Sequence, residues 1–201
     1  MATPDKRTPP TSETVTDPVV LADGTVAIVR ELRPSDRPAV EDLFAGVAVE
    51  DLYTRFFTLG RTVVEHHVRH LFTAGTGTIT YVVERDGRLL GIADVEPEGD
   101  DRAEVAFLVA DGAHGLGVAT LLLERAAEDA WARGVTTFVA DVLAVNHAML
   151  EVFRYAGFEA ELVGQHDDVS VHMSTCRTPE ARAATAARHE SAIAHQNPGV
   201  S

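Results

Sequence analysis

A glycine-rich segment between a predicted strand and a long predicted helix constrains the fold of this chain more than any other feature. The segment is GAHGLGVAT, residues 112–120. The strand before it, Ala103–Ala110, is almost wholly apolar, and the helix after it spans about 116–133, ended by Gly134. Small residues let backbone N–H groups approach an anion, and a helix N-terminus adds unpaired donors and partial positive charge. The segment therefore predicts a phosphate-binding turn.

Two familiar phosphate-binding motifs do not fit this turn. A dinucleotide-binding loop needs a third small, glycine-like position, where this chain has Thr120, and an opening strand–helix–strand unit. A P-loop needs Gly-Lys-Ser/Thr, which does not follow here. A glycine-rich turn that binds no ligand explains the segment equally well when it is taken alone.

The remaining patterns predict one α/β domain with a mixed sheet. Further strands are expected at 25–32, 78–84, 89–95, 135–142, 158–163 and 169–174, and further helices at 36–46, 51–59, 63–72 and 146–156. We expect a flexible arm over 1–18, the domain over 19–176 and a C-terminal tail over 177–201. On the long helix, Glu124 is expected on the polar side.

Composition narrows the classes of function. A formal net charge of −14 disfavours nucleic-acid binding, and it would either attract basic partners or simply keep the protein in solution. No apolar stretch approaches the roughly 18 residues of a membrane span, and the first residues lack the apolar region of a secretory signal. The single Cys176 excludes an intramolecular disulfide. We therefore expect a cytoplasmic protein with no membrane or nucleic-acid partner.

Several spaced motifs resemble the GNAT superfamily of N-acetyltransferases. The run HGLGVA, residues 114–119, is similar to the acetyl-CoA signature Gln/Arg-x-x-Gly-x-Gly/Ala, with histidine in the first place. Asn146 and the run YAGF, 155–158, match the family's later Asn and its x-x-Gly-Phe ending. The runs LYTRFF (52–57), EHH (65–67) and AEVAF (103–107) resemble more closely the bacterial protein lysine acetyltransferases called Pat. The resemblance covers roughly Val26 to Met173.

The resemblance implies a GNAT fold, with a mixed, mostly antiparallel central sheet flanked by helices, and acetyl-CoA as cosubstrate without a metal. In this family the backbone at Leu108 and Val109 would align the thioester, and amides from Gly115 to Thr120 would hold the pyrophosphate. Residues implied at the cofactor are Leu108, Val109, His114, Gly115, Leu116, Gly117, Val118, Ala119, Thr120, Asn146 and Phe153, the last packing on the pantetheine arm. His114 can donate a hydrogen bond but is largely neutral at pH 7, so we expect weaker cofactor binding.

Glu104 is the one ionisable residue in the apolar strand Ala103–Ala110. Such a run suggests a strand buried on both faces, where a carboxylate is costly unless it is paired or used. Making a lysine neutral at pH 7 costs about 4.6 kcal/mol, and a carboxylate whose pKa burial raises can take that proton. The alternative is a solvated glutamate at the exposed start of the strand. The resemblance to Pat implies that Glu104 is the general base of a direct transfer in a ternary complex.

Other candidates carry weaker signals. His66 and His70 are i, i+4 neighbours beside His67, yet no further metal ligand is evident, so a surface helix is favoured. Asp94 and Asp141 are candidates for the acceptor side. The family's tyrosine general acid corresponds to Phe153, and Tyr155 is expected to point elsewhere, so no general acid is assigned.

The resemblance implies acetyl transfer to an exposed lysine of a protein, with acyl-CoA synthetases as targets. Two alternatives stay open. One is acetylation of a small amine, such as an aminoglycoside, a polyamine or an amino acid. The other is a non-catalytic acyl-CoA-binding module that keeps the loop without turnover.

Overall fold

The structure is a computed structural model, which describes residues 16–47, 61–73, 75, 77–165, 167–179, 181–183, 185–187 and 190, apart from the side chains of 61, 62 and 165. The predicted helix at 51–59, with its LYTRFF motif, lies outside these residues. Within them, no helix has the length and apolar character needed to cross a membrane.

The described residues form one eight-stranded mixed sheet, which confirms the predicted fold class. The strands are β1 Asp17–Val20, β2 Val26–Glu31, β3 Ile79–Arg85, β4 Arg88–Pro97, β5 Arg102–Val109, β6 Thr137–Leu143, β7 Phe158–Gln165 and β8 Asp168–Arg177. Their order is β1-β2-β3-β4-β5-β6-β8-β7, and β5 with β6 is the parallel pair among antiparallel neighbours. The Asp86-Gly87 turn links β3 to β4, as its sequence predicts.

Helices pack on both faces of this sheet, and the sheet separates the core into two clusters. The helices are α1 Arg37–Ala45, α2 Arg61–Leu71, α3 Val118–Ala132 and α4 His147–Tyr155. The larger cluster packs α3 and α4 on one face, with Phe138 and Val105 among the strand residues. The smaller cluster packs α1 and α2 on the opposite face, where Leu108 contributes from β5. Because strand side chains alternate, odd-numbered residues of β5 face α3 and even-numbered ones face the side of α1 and α2.

The N-terminal boundary expected at residue 18 is wrong, because it cuts a strand. β1 begins at Asp17 and pairs with β2, and the Asp17 carboxylate forms an ion pair with Arg125 on α3. Val19 on the same strand is buried. Asp17 and Pro18 therefore belong to the sheet, and of the rest of the expected arm Thr16 is described, while residues 1–15 lie outside the described part of the chain.

The C-terminal boundary expected at residue 176 is also wrong. β8 continues to Arg177, whose buried guanidinium lies 3.0 Å from the Glu124 carboxylate on α3. Residues 181–183 and 185–187 are helical, and Arg177 also donates to the Ala181 carbonyl and the Thr185 hydroxyl. Glu124 is 5% exposed, so the expectation that it lies on the polar side of α3 is corrected as well. The described part of the expected tail is fixed to the domain through a polar pair.

Candidate active site

The sheet opens between β5 and β6, and this opening forms the candidate site. The two strands pair only from Arg102 to Glu104, where Glu104 lies opposite Val139. β5 continues to Val109 beside β4, while β6 continues to Leu143 beside β8. The second half of β5 therefore presents an unpaired edge to a wedge-shaped gap.

Backbone N–H and C=O groups of successive strand residues point to alternate sides, and this alternation determines which groups of β5 face the gap. Ala110 N–H donates to the Leu90 carbonyl on the β4 side at 2.9 Å. Backbone direction alternates along a strand, so the groups of Leu108 also point to β4, and those of Phe107 and Val109 point into the gap. Leu108 lines the cleft, but its side chain is buried in the smaller core cluster. The expected alignment by Leu108 and Val109 is thus corrected to Phe107 and Val109.

The glycine-rich turn brings the N-terminus of α3 to the mouth of the gap. Gly117 precedes the helix in the left-handed region at φ 80°, which favours glycine. The first helical hydrogen bond runs from Leu121 N–H to the Gly117 carbonyl at 3.1 Å, so the amides of Val118, Ala119 and Thr120 precede it. These three amides have the geometry that an anion needs.

Leu116 does not take the expected place among these donors. Its N–H donates to the Ala113 carbonyl at 3.3 Å, and its own carbonyl accepts from Ala22 N–H at 3.0 Å. Its side chain packs against the larger core cluster. Leu116 thus holds the turn in place, and the pyrophosphate expectation is corrected at this residue.

Close packing fixes the position of the α3 N-terminus. Gly91 on β4 lies under Val118, and a Cβ atom placed there would be 2.7 Å from Val118 Cγ1. Such a distance is well below van der Waals contact, so this position requires glycine. The missing side chain lets the first turn of α3 lie directly against the sheet.

His114 lies in the cleft wall and is exposed. Its Nε2 is 3.3 Å from the Val109 carbonyl, one of the groups that face the gap. A ring in this place can donate to that carbonyl and remains within the same cleft as the α3 amides.

The cleft has a volume of about 590 Å³ and is closed on its other side by α4. Asn146 begins this helix, and its Oδ1 accepts from Met149 N–H at 3.1 Å. Because the side-chain oxygen of Asn146 caps the helix, the two N–H donors on Nδ2 are the groups of this side chain that could bind a ligand. The lining residues are Phe107, Leu108, Val109, Ala113, His114, Gly115, Gly117, Val118, Ala119, Thr120, Asn146, Ala148, Met149, Glu151, Val152, Tyr155 and Ala156.

Two aromatic residues of α4 differ from expectation. Phe153 is fully buried and meets Phe107 edge-on, with 6.0 Å between ring centroids, so it supports the cleft wall from behind instead of lining it. Tyr155 lines the cleft although its side chain was expected to point elsewhere, and it is 79% exposed. Sequence analysis also missed Met149 and Val152, whose helical spacing with Tyr155 and Ala156 was the available signal.

Glu104 stands where β5 leaves β6, on the face opposite α3. It is exposed, and it lies directly across from Glu96 on β4. The expectation of a carboxylate buried on both faces is therefore corrected, because Glu104 lies outside the cluster that α1 and α2 form on this face with Val82, Leu89, Ile92 and Leu108. Asp141 on β6 is exposed on the same face, and its place on the acceptor side stays a prediction.

Asp94 is a buried acid on this same face. It accepts a hydrogen bond from Thr80 Oγ1 at 2.9 Å, and its other oxygen lies 3.0 Å from His67 Nε2 on α2. His66, by contrast, is exposed, and His70 Nε2 lies 3.3 Å from Thr78 Oγ1. Among the described residues, no group of three His, Cys, Asp or Glu side chains could share a metal ion.

Comparison with known proteins gives consistent matches. The model of the acetyltransferase (GNAT) family matches residues 47–158. The GNAT domain of S. lividans PAT has a TM-score of 0.69 at 30% identity, covering 79% of this chain and 96% of that chain. A ribosomal-protein-alanine N-acetyltransferase from Brucella melitensis has a TM-score of 0.57 at 29% identity, covering 73% and 97%. A spermidine N-acetyltransferase from Vibrio cholerae, in complex with CoA and spermine, shares the fold at 17% identity and a TM-score of 0.57, covering 73% and 94%.

Proposed function

The chain belongs to the acetyltransferase (GNAT) family, and from this membership we propose that it transfers the acetyl group of acetyl-CoA to a lysine side chain of a protein. One observation carries the proposal. The unpaired edge of β5 and the N-terminus of α3 line one cleft, and Glu104 is the last residue of β5 that pairs with β6 before this gap begins. These are an extended backbone edge, an anion site and a proton acceptor, the three parts that acetyl transfer to an amine requires.

The residues of the cleft fit an acetyl-CoA molecule. The amides of Val118, Ala119 and Thr120 would donate to the pyrophosphate, and this local attraction does not depend on net charge. The backbone groups of Phe107 and Val109 would pair with an extended pantetheine arm as a strand would. Apolar side chains, among them Met149 and Val152, form the wall behind that arm.

Glu104 is proposed as the base that makes the acceptor amine neutral. Its carboxylate accepts one proton from the lysine ammonium, and the freed nitrogen lone pair attacks the thioester carbonyl carbon. As the carbon–sulfur bond breaks, the thiolate takes a second proton from the nitrogen, leaving the amide. A thiol with a pKa near 8.5 is a tolerable leaving group, so the proposal needs no dedicated acid.

Two observations favour a protein acceptor. The relatives with the higher identities reported above are a Pat GNAT domain and a ribosomal-protein-alanine acetyltransferase. The face that carries Glu104 also presents the exposed carboxylates of Glu96 and Asp141, which would attract a basic surface. Acyl-CoA synthetases in the cytoplasm are the targets that the resemblance to Pat suggests.

The same acidic face favours a second candidate, a polyamine acceptor. A polyamine carries several positive charges and would be attracted to Glu96, Glu104 and Asp141 as a lysine-rich segment would. The spermidine acetyltransferase supports the fold alone, because its identity to this chain is 17%.

A matched pair of variants tests the role of Glu104. Glu104→Gln keeps the shape and removes the basicity, so kcat should fall by about 10²–10⁴ while acetyl-CoA affinity stays the same. Glu96→Gln removes the carboxylate directly across the strand pair and should leave kcat within a few-fold. The readouts are CoA release with a lysine peptide and calorimetry with acetyl-CoA. Equal losses in both variants would contradict the assignment of the base.

A further inference from the structure

A buried carboxylate and a histidine form a pair on the acceptor face that the proposed reaction does not yet use. Asp94 is 6% exposed, and its Oδ2 lies 3.0 Å from His67 Nε2. Thr80 Oγ1 donates to the other carboxylate oxygen at 2.9 Å. The Phe44 ring of α1 meets the imidazole edge-on at 5.7 Å between centroids. The imidazole is thus held by a carboxylate on one side and an aromatic ring on another.

This arrangement favours one tautomer of His67. Nε2 is buried and lies 3.0 Å from an Asp94 carboxylate oxygen without hydrogen-bond geometry, so the nearby negative charge favours a proton on Nε2 of the neutral ring. The lone pair then lies on Nδ1. The His67 side chain keeps 17% of its surface exposed, and because Nε2 is buried, this exposure lies elsewhere on the ring.

Strand register brings the pair close to Glu104. Asp94 lies opposite Ala106, and Glu96 lies opposite Glu104. Asp94 and Glu104 are therefore diagonal neighbours on one face, about 7–8 Å apart and within reach of long side chains. The His67 imidazole, 3.0 Å from Asp94, therefore lies over the same face of the sheet as Glu104.

Within the described ranges, few ionisable groups surround His67. Asp94 on β4 contacts it and Phe44 packs on it from α1, while Glu96 on β4 and Glu104 on β5 lie on the same face of the sheet. The charged residues of α1, Arg37, Glu41 and Asp42, are exposed. Its ionisable neighbours on α2 include Glu65, His66 and Arg69, which are exposed, and His70, which lies beside Thr78.

We propose that His67, oriented by Asp94, is a second proton acceptor for the acceptor amine and acts beside Glu104. The inference rests on the proposed amine acetylation. An imidazole is the side chain most often used as a general base, and a ring with its proton on one nitrogen can accept a proton at the other. His67 Nδ1 accepts one proton from the ammonium, the nitrogen attacks the thioester carbon, and the departing thiolate takes the second proton. The imidazolium then releases its proton to water.

His67→Gln tests this role, because glutamine keeps an N–H donor for Asp94 and has no basic nitrogen. On a lysine peptide at pH 7 we expect kcat/KM to fall about tenfold or more, with unchanged acetyl-CoA affinity and melting temperature. In the Glu104→Gln background, adding His67→Gln should lower the remaining rate again, and raising the pH, which supplies neutral amine, should narrow that difference. His66→Gln, at the exposed neighbour, is the matched control and should change neither quantity.

Different results would overturn the role of His67 and the role of Glu104. If His67→Gln keeps the wild-type rate and pH profile in both backgrounds while Glu104→Gln loses activity, His67 is structural and only this inference is overturned. Ring ¹⁵N NMR of the histidines gives a readout without turnover. The neutral His67 ring should carry its proton on Nε2, and a proton on Nδ1 would also overturn the inference.

Discussion

Gly117 has the left-handed conformation from which α3 starts, and it lies at the point where the backbone would meet the pyrophosphate. A Cβ atom here would contact nothing within 4 Å, so the restriction on this residue comes from its φ of 80° and from the ligand. Valine at such a φ is a strongly disfavoured residue, because its branched side chain clashes with its own backbone. The turn would have to move, and the α3 amides with it.

Gly117→Val should therefore weaken acetyl-CoA binding by at least tenfold, about 1.4 kcal/mol. Gly112→Val is the matched control in the same loop, since its added Cβ also meets nothing within 4 Å and its φ lies outside the left-handed region. Calorimetry on both variants compares the affinities. Unchanged affinity in Gly117→Val would contradict the pyrophosphate assignment.

Asp36 predicts a pH dependence of stability. Burial alone would raise the pKa of Asp36, but hydrogen bonds from Arg30 and from Arg33 N–H outweigh it and hold this pKa below its usual value. A depressed folded pKa contributes stability that is present above the unfolded pKa, about 3.9, and is lost as pH falls through the folded pKa. Asp36→Asn should cost about 1.5–3 kcal/mol at pH 7, and the difference from wild type should shrink below about pH 4.

Urea unfolding at pH 7 and pH 3 measures this difference. The exposed Asp42 on α1 provides the control, and Asp42→Asn should be nearly neutral at both pH values. A deficit in Asp36→Asn that stays constant with pH would contradict the assignment to the ionised carboxylate.

The exposure of Glu104 shows why some single residues could not be predicted. Its strand is apolar and the motif around it resembles Pat, so the residue itself was identifiable. Its burial depends on which helix covers the even-numbered face of β5, and α1 and α2 pack beside Leu108 instead. A local pattern contains no information about that choice. For the same reason, the sequence could not show that Phe153 packs behind the cleft wall while Tyr155 lines the cleft.

At the scale of elements, the periodicity of apolar residues predicted most strands and helices of the domain. The errors lie at its N-terminal and C-terminal ends. β1 has only four residues and starts with Asp-Pro, which is typical of an irregular segment. The residues after β8 are Ala-rich and lack large apolar anchors. Their anchor is the Arg177–Glu124 pair, whose partners are 53 residues apart in sequence, so no local pattern could reveal it.

Arg177→Ala should destabilise the fold by about 3–5 kcal/mol, because it leaves the Glu124 carboxylate buried without its guanidinium. Arg182→Ala removes an exposed arginine from the following helical residues and should change stability by less than about 0.5 kcal/mol. A chain ending at Cys176 should show at least the loss of Arg177→Ala. Urea unfolding of the three proteins compares them, and wild-type stability in the truncated chain would contradict this account.

The cleft also depends on how strands and helices are arranged, and the sequence predicted only part of that arrangement. The glycine-rich turn and the strand before it were evident in the sequence, and they predicted one wall. The gap depends on β5 and β6 pairing for only three residues, from Arg102 to Glu104, which is a matter of register. The second wall, on α4, had a signal in the spacing of Met149, Val152 and Ala156, and Asn146 marked its start.

For the whole molecule, the net charge of −14 predicts electrostatic steering of a basic acceptor. Screening shortens the Debye length from about 30 Å at 0.01 M salt to about 8 Å at 0.15 M. The kcat/KM for a protein substrate should fall across this range, whereas a neutral small amine should show much less change. Stopped-flow or steady-state rates on both substrates measure the contrast, and equal salt dependence would contradict steering by the acidic face.

Acetyl-lysine mass spectrometry of a cell lysate incubated with the enzyme and acetyl-CoA tests the central claim most directly. The account predicts new acetyl-lysine sites on proteins with the wild-type enzyme and with Glu96→Gln, and a loss of these sites with Glu104→Gln. Polyamines added to the same lysate serve as the competing acceptor. Efficient acetylation of the polyamine, with no protein site above the Glu104→Gln control, would contradict a protein acceptor and favour the small-amine acetyltransferase.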